Sequence, residues 1–420
     1  MTKLAEGTLS TRAMLERART AAPSMAELAT AEKNGLLTRV ADTIENGAAR
    51  ILAANQKDMA SSEQNPEMDE AMRDRLLLTP ERITAMAAGV RQVALLPDPV
   101  GEILAEWERP NGLRICRVRV PLGVIGIIYE ARPNVTVDTV ALALKTGNTV
   151  VLRGSKEAAN SNQCLVEIMT GIARMPEGAI HLLDSRNHDS VRELIEARGL
   201  VDVIIPRGGT GLINFVVENS LVPVIETGAG NCHIYVDAAA DLDMADNIVI
   251  NAKTQRPSVC NAAEKLLVHE RIAAAYIPRI AAKLRENGVA LRGDETARRL
   301  QPGPMQAATE ADWGEEYLRL CMAIRVVESV DDAIAHINKY STKHSDAIVT
   351  GDEANARRFL RAVDSAAVYW NASTRFSDGA EFGFGAEMGI STQKLHCRGP
   401  FALAELTSSK YEVIGSGQIR

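Results

Sequence analysis

The stretch KTQRPSVCNAAE, Lys253 to Glu264, holds a cysteine in a setting able to make it reactive. Lys253 and Arg256 put two cations ahead of Cys260, and Pro257 and Ser258 break the preceding helical pattern just before the thiol. Backbone N–H groups left free at such a break stabilise a thiolate, the form of the side chain that attacks carbon. The competing reading is a small buried hydrophobe, the commoner fate of an intracellular cysteine. A second candidate is the turn PRGGTGL, which follows an apolar strand and precedes a helical run. Backbone amides cradle phosphate in that context, although a plain tight turn fits it equally. The glycine-rich VIETGAGNCHIYVD holds Glu226, Cys232 and His233. His233, His344 and His396 lack ligand spacing, so structural histidines and no bound metal are expected.

Groups of this kind need a scaffold of strands and helices. Apolar positions recur at spacings of three and four from about Ser10 to Leu96, and Asn34 to Ile51 is the clearest amphipathic piece. Pro97 and Pro99 close this helical section. GEILAEWERPNGLRICRVRVPLG then alternates as two short strands about Pro110, Asn111 and Gly112, a hairpin whose edge suits either pairing with another subunit or an ordinary surface meander. Beyond it GVIGIIYE, NTVVLRGS, AIHLLD and VDVIIPRGG alternate with helical runs. Nearly continuous apolar strands joined by helices imply a parallel sheet covered on both faces, with ligands at the carboxyl ends of its strands. DMADNIVINAKTQ reads as a helix leading to Cys260, and a second α/β half begins near residue 230.

With 420 residues the chain is expected to hold two or three domains. Aromatics are only 4%, so the interior must be packed by Ala, Val, Ile and Leu, as suits helices on a parallel sheet. A net charge of −7 gives no general attraction to nucleic acid or anionic membrane, and an anionic ligand must find local cations. Six cysteines without CxxC spacing predict reduced thiols. MTKLAEGTLSTRAMLERA lacks a signal-peptide core and no apolar run spans a bilayer, so a cytoplasmic protein is expected.

The phrases YEARPNVTVD, VLRGSKEA, TQRPSVCNA, YWNASTRFSDG and FGFGAEMGISTQKLHCRGP, in that order, resemble the aldehyde dehydrogenase superfamily over almost the whole chain. The likeness is strongest to its branch that reduces L-glutamyl 5-phosphate. It implies two Rossmann-like α/β domains with parallel-sheet cores and a small β oligomerisation element: residues 1–104 and 121–229 binding NADP, 230–398 catalytic, 105–120 and 399–420 oligomerising. It implies that Cys260 is the nucleophile, that Asn134 helps hold the oxyanion, and that Glu226 stands where relatives carry a general base. Arg153, Ser155 and Lys156 match the segment that holds the adenosine ribose; Lys156, standing where NAD-preferring relatives have an acid, favours NADP(H). Gly208, Gly209 and Thr210 match the turn near the pyrophosphate, and Glu316 the acid at the nicotinamide ribose. Arg132, Ser373, Thr374, Arg375, Lys394 and Arg398 are candidates for binding substrate. A homodimer or homotetramer follows from the same likeness, with the glutamate kinase that makes the substrate as a further partner. Two other readings compete: a hydrolytic aldehyde dehydrogenase that uses Glu226 to activate water, and a nucleotide-binding regulatory module without turnover.

Overall fold

Capped helices and short apolar strands alternate along the computed structural model, which describes residues 9–66, 68–301 and 303–420. Residues 1–8, where the expected cofactor-binding segment and the reading of the N-terminus begin, lie outside the described residues. The rest divides into two units. One holds the described residues up to Glu226 with Phe384–Gly389 and Phe401–Arg420; the other holds Thr227–Gly383 and Ile390–Pro400.

The first unit opens with α1 (Thr11–Ala26), α2 (Thr30–Asn46), α3 (Ala48–Glu63), α4 (Glu70–Leu76) and α5 (Pro80–Leu95). The expected amphipathic piece from Asn34 to Ile51 is divided at Gly47, which ends α2 and starts α3. A Cβ there would lie 2.8 Å from Ile168 Cδ1 and 3.0 Å from the Thr43 carbonyl oxygen, a close approach that favours glycine. Thr79 caps α5, its hydroxyl accepting the Arg82 N–H at 3.2 Å, with Pro80 at the first helical position.

The expected hairpin is β1 (Ile103–Glu108) and β2 (Arg114–Pro121), paired antiparallel. Four βα units follow: β3 (Val124–Tyr129) and α6 (Pro133–Lys145), β4 (Thr149–Arg153) and α7 (Ala159–Thr170), β5 (Ile180–Leu182) and α8 (Asp189–Ile195), β6 (Val203–Arg207) and α9 (Thr210–Asn219). Their strands form a parallel sheet in the order β5-β4-β3-β6. Successive connections step from β3 to β4 to β5 and then cross to β6 on the far side, so the strand order reverses beside β3. Such a reversal leaves a crevice at the carboxyl ends of the strands. Val124, Ile128, Val151 and Ile204 of this sheet are buried against Leu15 and Ala18 of α1, Leu194 of α8 and Val216 of α9.

The second unit runs β7 (Cys232–Val236), α10 (Leu242–Thr254), β8 (Ala263–His269), α11 (Glu270–Glu286), β9 (Ala290–Gly293), α12 (Glu295–Leu300), β10 (Gln306–Ala307), α13 (Glu310–Gly314), β11 (Cys321–Val327), α14 (Val330–Tyr340), β12 (Ser345–Val349), α15 (Glu353–Ala362) and β13 (Ala367–Trp370). Seven parallel strands take the order β10-β9-β11-β8-β7-β12-β13. β8 is buried at every position, Glu264 and Lys265 included. Near the end of the chain β14 (Gly389–Ser391) pairs with β15 (Gly399–Phe401), and β16 (Thr407–Ile414) lies antiparallel on β2. Hairpin and tail therefore form one three-stranded sheet, β1-β2-β16. The architecture is the expected one: two parallel α/β sheets and a small antiparallel one. Among the described residues no helix is long and apolar enough to cross a membrane.

Candidate active site

Cys260 lies half-buried in the turn between α10 and β8, where Pro257 ends the helical hydrogen-bonding run. The two stems of this turn are clamped together. Lys253, in the last turn of α10, donates to Glu264 Oε2 on β8 at 2.8 Å, and neither side chain is exposed to solvent. Burial raises the Glu264 carboxyl, opposed by Lys253, and the second carboxylate oxygen accepts the Leu318 N–H at 3.2 Å. Lys253, an expected local cation for the thiol, is thus engaged in holding the turn closed.

From below, the Cys232 thiol donates to the Cys260 carbonyl at 3.2 Å, and burial keeps Cys232 itself protonated. Gly230 passes so near that a Cβ would fall 1.4 Å from the Cys260 carbonyl oxygen, so no other residue fits. The Gly230 N–H in turn donates to Glu316 Oε1 at 2.5 Å, and burial raises the Glu316 carboxyl. Glu316, expected at a ribose, here props the backbone beside Cys260.

A strap from Ser373 to Ser377 crosses the far side of the turn. Thr374 is fully buried and its hydroxyl donates to the Asn261 carbonyl at 2.7 Å, while Asn261 Nδ2 donates to the Ser377 carbonyl at 2.9 Å. Ser373 Oγ donates to Asn251 Oδ1 at 2.7 Å. Arg375 Nε donates to Gln255 Oε1 at 2.9 Å, and burial lowers the guanidinium pKa against the pull of the neighbouring Cys260. Of the expected substrate-binding residues this strap brings three to the nucleophile turn. Lys394 and Arg398 go elsewhere: both pair with Asp364, at 3.2 and 2.8 Å, in a cluster that also takes Lys343. Among the histidines, His233 faces Asp346 at 3.2 Å and His344 faces Ser345 at 2.8 Å, both fully buried.

In the first unit the strand-order reversal gathers a second set of groups. Asn134 sits in the first turn of α6, exposed, its amide donating to Asp138 Oδ2 at 3.2 Å. Asp138 also touches solvent, yet the protein mass around it pushes its carboxyl up to about 6. Gly208 and Gly209 form the turn from β6 into α9, and the Gly209 N–H donates to Glu130 Oε1 at 2.8 Å. A carboxylate of the chain therefore already occupies the edge of the turn expected to face a phosphate, and Thr210 begins the helix behind it. Glu226 is half-buried in the loop before β7.

Beyond β4 an open pocket of about 550 Å³ is lined by Arg153, Ser155, Lys156, His188, Arg192 and Phe215 among others. The Arg153 guanidinium is directed at the carbonyls of Gly154 and Ser185, each 3.2 Å away, so it holds the pocket wall. Lys156 is largely exposed and Glu157 is 4.0 Å from its ammonium. The Ser155 hydroxyl is buried without a hydrogen-bond partner, as a ribose-binding hydroxyl would be. Arg192 adds a cation, and His188 a polar ring just ahead of the same helix, that no motif signalled, because this segment is remote in sequence from the βα turn. Arg132 lines a smaller cavity that shares Ser155 with this pocket.

The sequence profile described as the aldehyde dehydrogenase family matches residues 5–321. The gamma-glutamyl phosphate reductase of Koribacter versatilis is 69% identical over 413 residues, covering 98% of this chain and all of its own. That of Moorella thermoacetica is 58% identical, covering 96% and 97%. The crystal structure of gamma-glutamyl phosphate reductase from Thermotoga maritima superposes with a TM-score of 0.95 at 48% identity, over 98% of this chain and 99% of that one. With its two parallel sheets, its half-buried Cys260 in the turn before β8 and likeness from end to end, the chain belongs to the aldehyde dehydrogenase family, in the branch of the gamma-glutamyl phosphate reductases.

Proposed function

We propose that the chain reduces L-glutamyl 5-phosphate to L-glutamate 5-semialdehyde with NADPH and releases phosphate, the second step of proline biosynthesis. The observation that carries this reading is Cys260 in a turn clamped by Lys253 and Glu264 and strapped by Thr374, in a chain that matches gamma-glutamyl phosphate reductases over 96 to 98% of its length. The Cys260 thiolate attacks the acyl carbon; the bond to the phosphate oxygen breaks and phosphate leaves with the electron pair, giving a thioester. Arg375 beside the thiol favours the thiolate and offers a cation to the departing phosphate. The Asn134 amide and a backbone N–H near Cys260 serve the oxyanion. Bound NADPH supplies the hydride that reduces the acyl group. Cys260 then leaves the resulting hemithioacetal carbon and recovers its proton, with Glu226 as the relay. Arg132 and Ser373 remain substrate-side candidates, whereas Lys394 and Arg398 serve the Asp364 cluster.

The cofactor is NADP(H). Lys156, His188 and Arg192 favour a 2′-phosphate, and Ser155 and Phe215 line the same pocket for ribose and adenine. Gly208, Gly209 and Thr210 are the candidates for the pyrophosphate and Glu316 for the nicotinamide ribose. Assembly as a homodimer or homotetramer uses the sheet β1-β2-β16, on which Ile103, Trp107, Tyr411, Val413 and Ile414 are exposed. The six free thiols suit the cytoplasm, where the glutamate kinase that makes the acyl phosphate is the natural neighbour.

A coupled assay tests this. With glutamate 5-semialdehyde and NADP, oxidation should require inorganic phosphate; equal rates without phosphate would overturn the reading in favour of a hydrolytic enzyme. Cys260→Ala should abolish turnover while still binding NADPH, as read by quenching of protein fluorescence.

A further inference from the structure

Beside the cofactor pocket lies a second cavity of about 220 Å³, and the two share Ser155 and Glu157 in their walls. Met68 and Met72 give it an apolar side. Two acids face it, but each has a neighbour: Glu130 accepts the Gly209 N–H at 2.8 Å, and Glu157 lies 4.0 Å from the Lys156 ammonium. Two groups are left over. The Arg75 side chain, in the last turn of α4, makes no hydrogen bond or ion pair with any described residue. The Ser155 hydroxyl is buried and unpartnered. An arginine lining a cavity beside an orphaned hydroxyl is a donor set awaiting acceptor oxygens, and the guanidinium fork suits a phosphate.

We propose that Arg75 is a specificity-determining residue that, with the Ser155 hydroxyl, takes the 2′-phosphate of NADP(H) from the second cavity, whose wall does not include Lys156. This rests on the NADP reading above and deepens it. Because Ser155 borders both cavities, a ribose lodged against it presents its 2′ substituent at the junction. Lys156 supplies an exposed point charge from the first cavity, and Arg75 supplies a guanidinium fork from the second. Discrimination of NADP from NAD is thereby built partly from the N-terminal helical segment and not from the βα turn alone.

The test is calorimetric titration of the full chain with adenosine 2′,5′-bisphosphate and with AMP, which differ by the 2′-phosphate. Arg75→Gln should weaken the bisphosphate about tenfold, the value of one charge-assisted bond, and leave AMP unchanged. Arg75→Lys should recover part of the loss. In turnover, the KM for NADPH should rise at nearly constant kcat while the KM for NADH stays the same. Arg75→Gln with unaltered affinity for both nucleotides, or with equal losses for both, would overturn the proposal. Should Lys156→Gln alone weaken the bisphosphate, the NADP reading stands and the role of Arg75 fails. A wild-type chain that binds AMP as tightly as the bisphosphate refutes both, and is distinguished by needing no variant.

Discussion

Asp138 shows how a single side chain couples the site to pH. Its carboxyl stands at about 6, above the ordinary 3.8, because surrounding protein disfavours the charge more than the Asn134 amide offsets it. A folded-state pKa raised above the unfolded value stabilises the fold at low pH, and that contribution is lost as pH rises from about 4 through 6. Asp138→Asn should therefore raise the melting temperature more at pH 8 than at pH 5, which thermal unfolding at the two values will show. The same substitution keeps an oxygen that can accept the Asn134 amide, so the rate should change less than the stability. Lys253 and Glu264 present the opposite case. Removing one partner leaves a buried charge, and Lys253→Met should cost about 3–5 kcal/mol in urea unfolding, much of it recovered by adding Glu264→Leu. Cys260 and Lys156 were legible in the sequence because their neighbours in the chain carry the signal. Glu264 as the partner of Lys253, and Arg75 at a cavity, were not: such pairings depend on how a turn closes or where a short helix docks, and neither leaves a period.

At the scale of elements, the Cys260 turn is held by three contacts: the close backbone approach of Gly230 beneath it, the Thr374 hydroxyl of the strap and the Lys253–Glu264 ion pair between its stems. Gly230→Ala should abolish activity, since the methyl group and the Cys260 carbonyl cannot share the same space; circular dichroism alongside the assay separates local loss from unfolding. Thr374→Val, nearly isosteric, should leave the fold intact and slow acylation by loosening the turn, readable as a smaller phosphate burst. The βα rhythm was legible because buried parallel strands read as unbroken apolar runs. The break at Gly47 was not, since the amphipathic stripe continues across it, and the strap was visible only as a family phrase. Strand order within each sheet also lay beyond the sequence, because a connection of given length reaches either neighbouring edge.

For the whole molecule, the sheet β1-β2-β16 joins strands from the first third and the last turn of the chain. Its exposed Trp107 and Tyr411 meet edge to face with ring centroids 6.2 Å apart. Tyr411→Lys combined with Ile414→Lys should shift sedimentation toward a single protomer without lowering helical content, if this sheet is the assembly surface. The hairpin and the tail were each apparent in the sequence; that they pair was not, because nearly three hundred residues separate β2 from β16.

That separation matters during synthesis. A ribosome delivers β2 early and β16 last, so the edge of β2 stays open while the whole second unit is made. The nascent chain thus carries a strand edge with unmet hydrogen-bonding groups for most of its translation, and early termination leaves that edge permanently bare.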